Sequence, residues 1–196
     1  MVNWPEFLYA YGLTIVSWVV LTSIVALPNY TFPAAVAQAL FLLCWSYGGH
    51  VLAHMVSTQF PLNYLNLHVS LHHDHYVDIP RWLNLLLETC VNFMGFFIFI
   101  LLQHVFDVHI LSTTMILAAS FLYILIHIAD FSIFGNEQHA EHHTRTFCNY
   151  DPEFFDTLFK TRCSPEKPYR QLSGEILYAC IACIAALFLK HRYQLD

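Results

Sequence analysis

The stretch Phe7–Leu27, FLYAYGLTIVSWVVLTSIVAL, contains no charged residue and no proline. A helix needs about 20 apolar residues to cross the hydrocarbon core of a bilayer, and this run is long enough. Trp4-Pro5-Glu6 in front of it reads as an interfacial entry. Working outward, residues 28–33 form a tight turn between Pro28 and Pro33, and a second uncharged run follows from Ala34 to about Ser57. Thr89–Phe106 is a third, Asp107-Val108 a turn, and His109–Ala129 a fourth. Composition agrees: 57% of residues are hydrophobic and only 11% charged, against roughly 25% charged in a soluble domain. These features predict one all-α domain over residues 1–196, an integral membrane four-helix bundle. The later apolar run, Ile176–Leu189, lies between Glu175 and Lys190. It is short for a span and is expected to lie on, or dip into, the membrane face.

Charge sets the orientation. The eight Lys and Arg residues stand at 81, 145, 160, 162, 167, 170, 190 and 192, against fourteen Asp and Glu. No basic run marks a nucleic-acid partner. Two helical hairpins would bring residues 58–88 and everything after 130 to one side, with all eight positive charges. The positive-inside rule makes that side cytoplasmic. The six cysteines are scattered with no framework spacing, and they read as small packing residues rather than disulfide partners.

The same side receives the histidines. His50 and His54 are four apart, His68, His72 and His73 follow, and His139-Ala140-Glu141-His142-His143 forms a third cluster. Positions three and four apart share a helix face, so each cluster can point its imidazoles at a common centre. His127, deep in the fourth run, joins them, because an idle polar side chain there is costly. Neutral imidazole is a ligand for iron, zinc and copper that adds no charge at a membrane boundary. A catalytic zinc ordinarily takes three protein ligands, so nine histidines point to two ions. His104, His109 and His191 are isolated and read as capping or packing residues, and His75 falls off the face shared by His68 and His72. The expected architecture is therefore a bundle with a cytoplasmic, histidine-rich helical cap.

The combination resembles the fatty acid hydroxylase/sterol desaturase superfamily of membrane di-metal oxidases. The likeness rests on His-x3-His, His-x3-His-His and His-x2-His-His over four spans. It extends to Asn149-Tyr150 followed by Phe155-Asp156-Thr157-Leu158-Phe159-Lys160-Thr161, similar to a closing Asn-Tyr-Gly…Trp-Asp-x-Leu-Phe-Gly-Thr, and covers about residues 45–161. Asp78 and Arg81 after His72-His73, and Tyr123-x3-His127, lean toward the fatty acid 2-hydroxylase branch. The first histidine pair is spaced as in the sterol enzymes.

The resemblance implies two iron ions, or zinc in a purified preparation, held by His50, His54, His68, His72, His73, His127, His139, His142 and His143. With O2 and external electrons they would hydroxylate a C–H bond of a fatty acyl chain or sphingolipid taken from the bilayer. Cytochrome b5 or a ferredoxin with its reductase would be the donor, and the endoplasmic reticulum the membrane in a eukaryote. Glu141, Asp78, Asp130 and Asp156 are expected to hold the outer nitrogens of the ligands. A sterol or lipid desaturase, or a sterol methyl oxidase, would use the same centre. A metal transporter or a non-catalytic metal-binding membrane protein is the reading from a different class. Transport sites sit near the bilayer midplane, whereas these clusters sit at span ends.

Overall fold

The computed structural model describes residues 2–27, 29–56, 68–69, 73, 79–145, 147–170, 172 and 174–196, and among these every regular element is helical. Five helices are long and apolar enough to cross a membrane: α1 (Trp4–Ala26), α2 (Phe32–Met55), α3 (Arg81–Phe106), α4 (Thr113–Ile133) and, last in the chain, Glu175–Tyr193. Two short helices, α5 (Glu137–Thr144) and α6 (Glu153–Phe159), precede that last one, which is α7.

Local chemistry sets the boundaries. Pro33 occupies the first turn of α2, where its missing N–H costs nothing. Pro80 precedes α3, which stops where Asp107 turns left-handed at φ 51°. Ser112 caps α4 by accepting from the Met115 N–H.

α4 is the central helix, packed against α1, α2, α3 and α7. Its Met115, Ile116 and Ala118 are fully buried with Val25, Ala35 and Ala186. Alanines at these crossings let the helix backbones approach closely. Val16, Leu101 and Ile184 point outward, as lipid-facing side chains do.

α7 adds a fifth helix of membrane length to the four expected. It starts beside Arg170, which bonds Asp130 at the end of α4 (2.7 Å) and approaches Glu175 (3.5 Å). At its other end the Lys190 ammonium donates to the carbonyls of Val25 (3.1 Å) and Leu27 (3.4 Å), at the far end of α1. Just beyond, the Asp196 carboxylate accepts from the Thr113 N–H at the start of α4 (2.9 Å). α7 therefore runs antiparallel to α4 along the length of the bundle. The charge-free core of this segment understated the helix. Its 19 residues give about 28 Å at 1.5 Å per residue, and Lys190 carries its charge on an apolar stem to the polar boundary. Lys190 and Arg192 thus lie at the end opposite the histidines. The eight positive charges divide six to two, rather than eight to none.

Gln103 organises the α3–α4 turn. Although 7% exposed, it accepts from the Ile110 and Leu111 N–H groups (2.8 and 2.6 Å) and donates to the Leu111 carbonyl (3.1 Å). Leucine there would leave three backbone groups without partners, each costing about 1–3 kcal/mol. Gln103→Leu is expected to destabilise the protein by about 3 kcal/mol or more in denaturant unfolding in micelles, despite the gain in apolarity.

Candidate metal centre

α2 delivers His50 and His54 one turn apart on its buried face. α4 widens into a π-helical turn over Leu125–Ile133, a geometry that recurs at functional sites, and this turn places His127. Gly135, at φ 83°, bends the chain into α5. Asn136 caps α5, its side-chain oxygen accepting from the N–H groups of Gln138 (2.9 Å) and His139 (3.2 Å). α5 then presents His139, His142 and His143. The Cys148 carbonyl lies 2.5 Å from His142 Nδ1. A carbonyl only accepts, so the proton sits on Nδ1 and Nε2 carries the lone pair.

The ligand atoms of His50, His54, His68, His73 and His142 all lie within 4.8 Å of one another and are buried. Two nitrogens across a single ion would be about 4.2 Å apart at 2.0–2.1 Å bond lengths, so this spacing is close to that of a filled site. The five-histidine group could hold a metal ion. The remaining histidines continue it without a gap. His73 stacks on His143 with ring centres 4.6 Å apart, His139 and His143 bring their Nε2 atoms to 3.1 Å, and the His127 and His139 rings are 5.0 Å apart. Of the nine predicted histidines, eight are brought together in this way, and His72 lies outside the described residues, as does Asp78. His104, His109 and His191 are exposed and apart from the group.

The donor set fits a cation. Both ring nitrogens of His50, 4% exposed, have no hydrogen-bond partner among the described residues. A buried polar group without a partner costs several kcal/mol, and a bound ion would satisfy the nitrogen that carries the lone pair. Protonating several clustered imidazoles at once would instead add mutual repulsion to burial.

The groups that support the histidines differ from the expected carboxylates. Glu88 lies 3.4 Å from His127 Nε2, and Asp151 lies 3.6 Å from His139 Nδ1. Burial raises the Asp151 carboxyl well above the usual carboxylate range, with Asp156, Glu175 and Glu153 adding to the effect. Glu141 instead forms a surface latch with Ser164 (2.6 Å), Lys167 (3.3 Å) and Arg145 (3.4 Å). The Ser164 hydroxyl holds its carboxyl below the usual range. Asp130 pairs with Arg170 and Asn136. Glu88 carried a signal in the sequence, being an isolated acid beside an apolar run. Asp151 carried only its place next to Asn149-Tyr150.

Asp156 is the hub of the segment after α5. Its carboxylate accepts from the Tyr150 N–H (2.9 Å), the Asp151 N–H (2.8 Å) and the Thr161 hydroxyl (2.6 Å). Burial pushes its carboxyl up to about 6, against the pull of these hydrogen bonds. Asn149 donates to the Gln138 carbonyl (3.0 Å) and accepts from the Cys163 N–H (2.8 Å). The motif quoted from the sequence is thus a staple that presses Tyr150 and Asp151 against the histidines, with the Tyr150 ring centre 5.5–5.8 Å from those of His50, His54 and His142. Lys160 stands at φ 62°, where glycine is the residue with least steric penalty.

A disulfide closes the same segment. Cys148 and Cys163 are bonded, and their Cα atoms are 5.0 Å apart. This corrects the expectation of six packing cysteines. The fifteen-residue spacing has no framework signature, and the two ends are brought together by the Cys163 N–H donating to the Asn149 side chain and the Asn149 N–H donating to the Thr161 carbonyl.

No protein-family model, curated protein or solved structure matches the chain.

Proposed function

We propose that the protein is a membrane di-metal oxidase of the fatty acid hydroxylase/sterol desaturase type, inserting oxygen into a C–H bond of a lipid. The observation that carries this reading is the convergence of eight histidines from α2, residues 68–73, α4 and α5 at one end of a bundle of membrane-length helices. That group abuts an apolar cavity which starts at Trp18, Val19 and Leu42 and ends at Tyr123 and His127.

His50, His54, His68, His72, His73, His127, His139, His142 and His143 would hold two ions, and iron in such a set supplies O2 activation. The chain's own groups supply orientation and exclusion of water. The Cys148 carbonyl fixes the His142 tautomer, Glu88 and Asp151 stand behind His127 and His139, and Tyr123 stacks on His127 with centroids 5.4 Å apart. A lipid chain would enter from the bilayer. Electrons would come from a cytochrome b5 or ferredoxin partner docking at the histidine end.

Metal content of purified protein, with lipid profiles of cells expressing wild type and His142→Ala, tests the reading. Two metals per chain and an oxidised lipid absent from the variant's cells are expected. A single loosely held metal with unchanged lipids would exclude it.

Six of the eight positive charges lie at the histidine end, a bias that favours the cytoplasmic side. The Cys148–Cys163 bond at that end is of a kind that persists in oxidising compartments, so the two features oppose each other. We place the histidine end on the cytoplasmic side, because the charge bias acts on short loops during insertion. Maleimide labelling after vesicle permeabilisation and denaturation, without reductant, is expected to modify all six cysteines of freshly made protein. Modification of only four would assign that end to an oxidising lumen.

A further inference from the structure

Cys148 and Cys163 close the segment that carries Tyr150, Asp151, Asp156 and α6. Both residues are half-buried rather than enclosed. The other four cysteines, Cys44, Cys90, Cys180 and Cys183, are unpaired and lie on helices of membrane length. The bonded pair therefore stands apart from them, in the polar cap beside the histidines.

The backbone of Cys148 connects the pair to the metal centre. Its carbonyl accepts from His142 Nδ1 at 2.5 Å, and His142 is fully buried within the five-histidine group. Two residues on, the Tyr150 ring packs against His50, His54 and His142. From the other side, the Cys163 carbonyl accepts from Arg145 Nη1 (3.1 Å), and Arg145 directly follows α5, the helix of His139, His142 and His143. A change at the sulfurs thus reaches both the acceptor of His142 and the end of its helix.

The segment does not depend on the bond for its path. The Asn149 N–H donates to the Thr161 carbonyl (2.7 Å), the Cys163 N–H donates to the Asn149 side chain (2.8 Å), and Asp156 gathers Tyr150, Asp151 and Thr161. With the bond open, these contacts keep the two Cα atoms, 5.0 Å apart, within the range that a disulfide spans. Cys148 Sγ lies 3.1 Å from the Arg145 carbonyl, which can accept the thiol proton in the reduced form. Opening and closing require no unfolding of the loop.

We infer that Cys148 and Cys163 form a reversible oxidation site that governs how tightly the histidine group holds metal. Hydrogen peroxide takes two electrons from the two thiols, the S–S bond forms, and two water molecules leave. A cytosolic dithiol returns two electrons and two protons and becomes a disulfide itself. The closed bond pins the Cys148 carbonyl on His142; opening it lets that carbonyl move and loosens a central ligand. Losing such a supporting contact weakens metal binding by about 10–100-fold. The inference rests on the metal-centre reading for this consequence and on the cytoplasmic placement for its reductant; bond formation itself requires no metal.

The test uses the full chain in nanodiscs, in a Cys44→Ala, Cys90→Ala, Cys180→Ala, Cys183→Ala background. Metal-free protein is oxidised with hydrogen peroxide or reduced with a phosphine, desalted, loaded with Zn2+ and mixed with a chromogenic chelator. Zinc is expected to leave the reduced form at least about tenfold faster, and reoxidation to restore the slow rate. Cys163→Ser and, independently, Cys148→Ser should release zinc at the fast rate after either treatment. In cells, alkylation before lysis is expected to trap both cysteines as thiols at rest and as a disulfide after a pulse of peroxide. Equal release from two fully loaded forms would overturn the coupling. A bond already closed in unstressed cells, or never closed by peroxide, would overturn the reversible site. Zinc held by neither form would remove the metal centre and the coupling together, so failure of the metal-centre reading is distinguishable from failure of the inference alone.

Discussion

Metal is expected to leave the His142→Ala protein. His142 is fully buried, its ring lies 4.6–5.0 Å from those of His50, His54 and His73, and it belongs to the tightest five-residue set. Changing a residue that merely supports a metal ligand costs 10–100-fold in affinity. Loss of a central ligand is expected to exceed about 100-fold, read as metal per chain after passage through a chelating column. Stability should follow by linkage. An ion present at about a thousand times its dissociation constant contributes about 4 kcal/mol, so chelation should lower the melting temperature of wild type and leave that of His142→Ala almost unchanged. Equal melting shifts in both proteins would mean that the histidine group is not the site of binding. His104→Ala, at an exposed position away from the group, should behave as wild type.

The second large effect is expected at Asp156. Alanine there removes the acceptor for two backbone N–H groups and one hydroxyl inside the protein, each worth about 1–3 kcal/mol when left unsatisfied. A loss of about 3–5 kcal/mol is expected in denaturant unfolding. Metal content should fall with it, because this residue helps hold Tyr150 and Asp151 against the histidines. Asp156→Asn keeps the volume and one acceptor oxygen, and should fall between the two. If Asp156→Ala binds metal as wild type does, the segment after α5 has no part in shaping the centre.

The apolar runs and the histidine spacings were legible in the sequence because each is local. Twenty uncharged residues define a span without reference to any other part of the chain, and three imidazoles on two helical turns share a face whatever packs against them. α7 was misjudged because its ends were read from charged residues, while Lys190 extends its apolar stem and bonds carbonyls of α1. The carboxylates that stand behind the ligands were misassigned for a different reason. Glu141 sits inside a histidine cluster in sequence, but its helix turns it outward to Ser164 and Lys167. Asp151 reaches His139 only because Asp156 folds the loop back. Cys148 and Cys163 meet for the same reason. Proximity of that sort is a product of the loop's hydrogen bonds, and no spacing rule records it.

Five helices of membrane length, each crossing once, would put the two ends of the chain on opposite sides. Asn3 sits near Tyr169 at the histidine end (3.4 Å), whereas Asp196 docks on Thr113 at the other. A reporter fused after Asp196 would therefore occupy the compartment across the bilayer from the histidine group. A fusion at the amino-terminal end, or into the segment between α5 and α7, would lie on the histidine side.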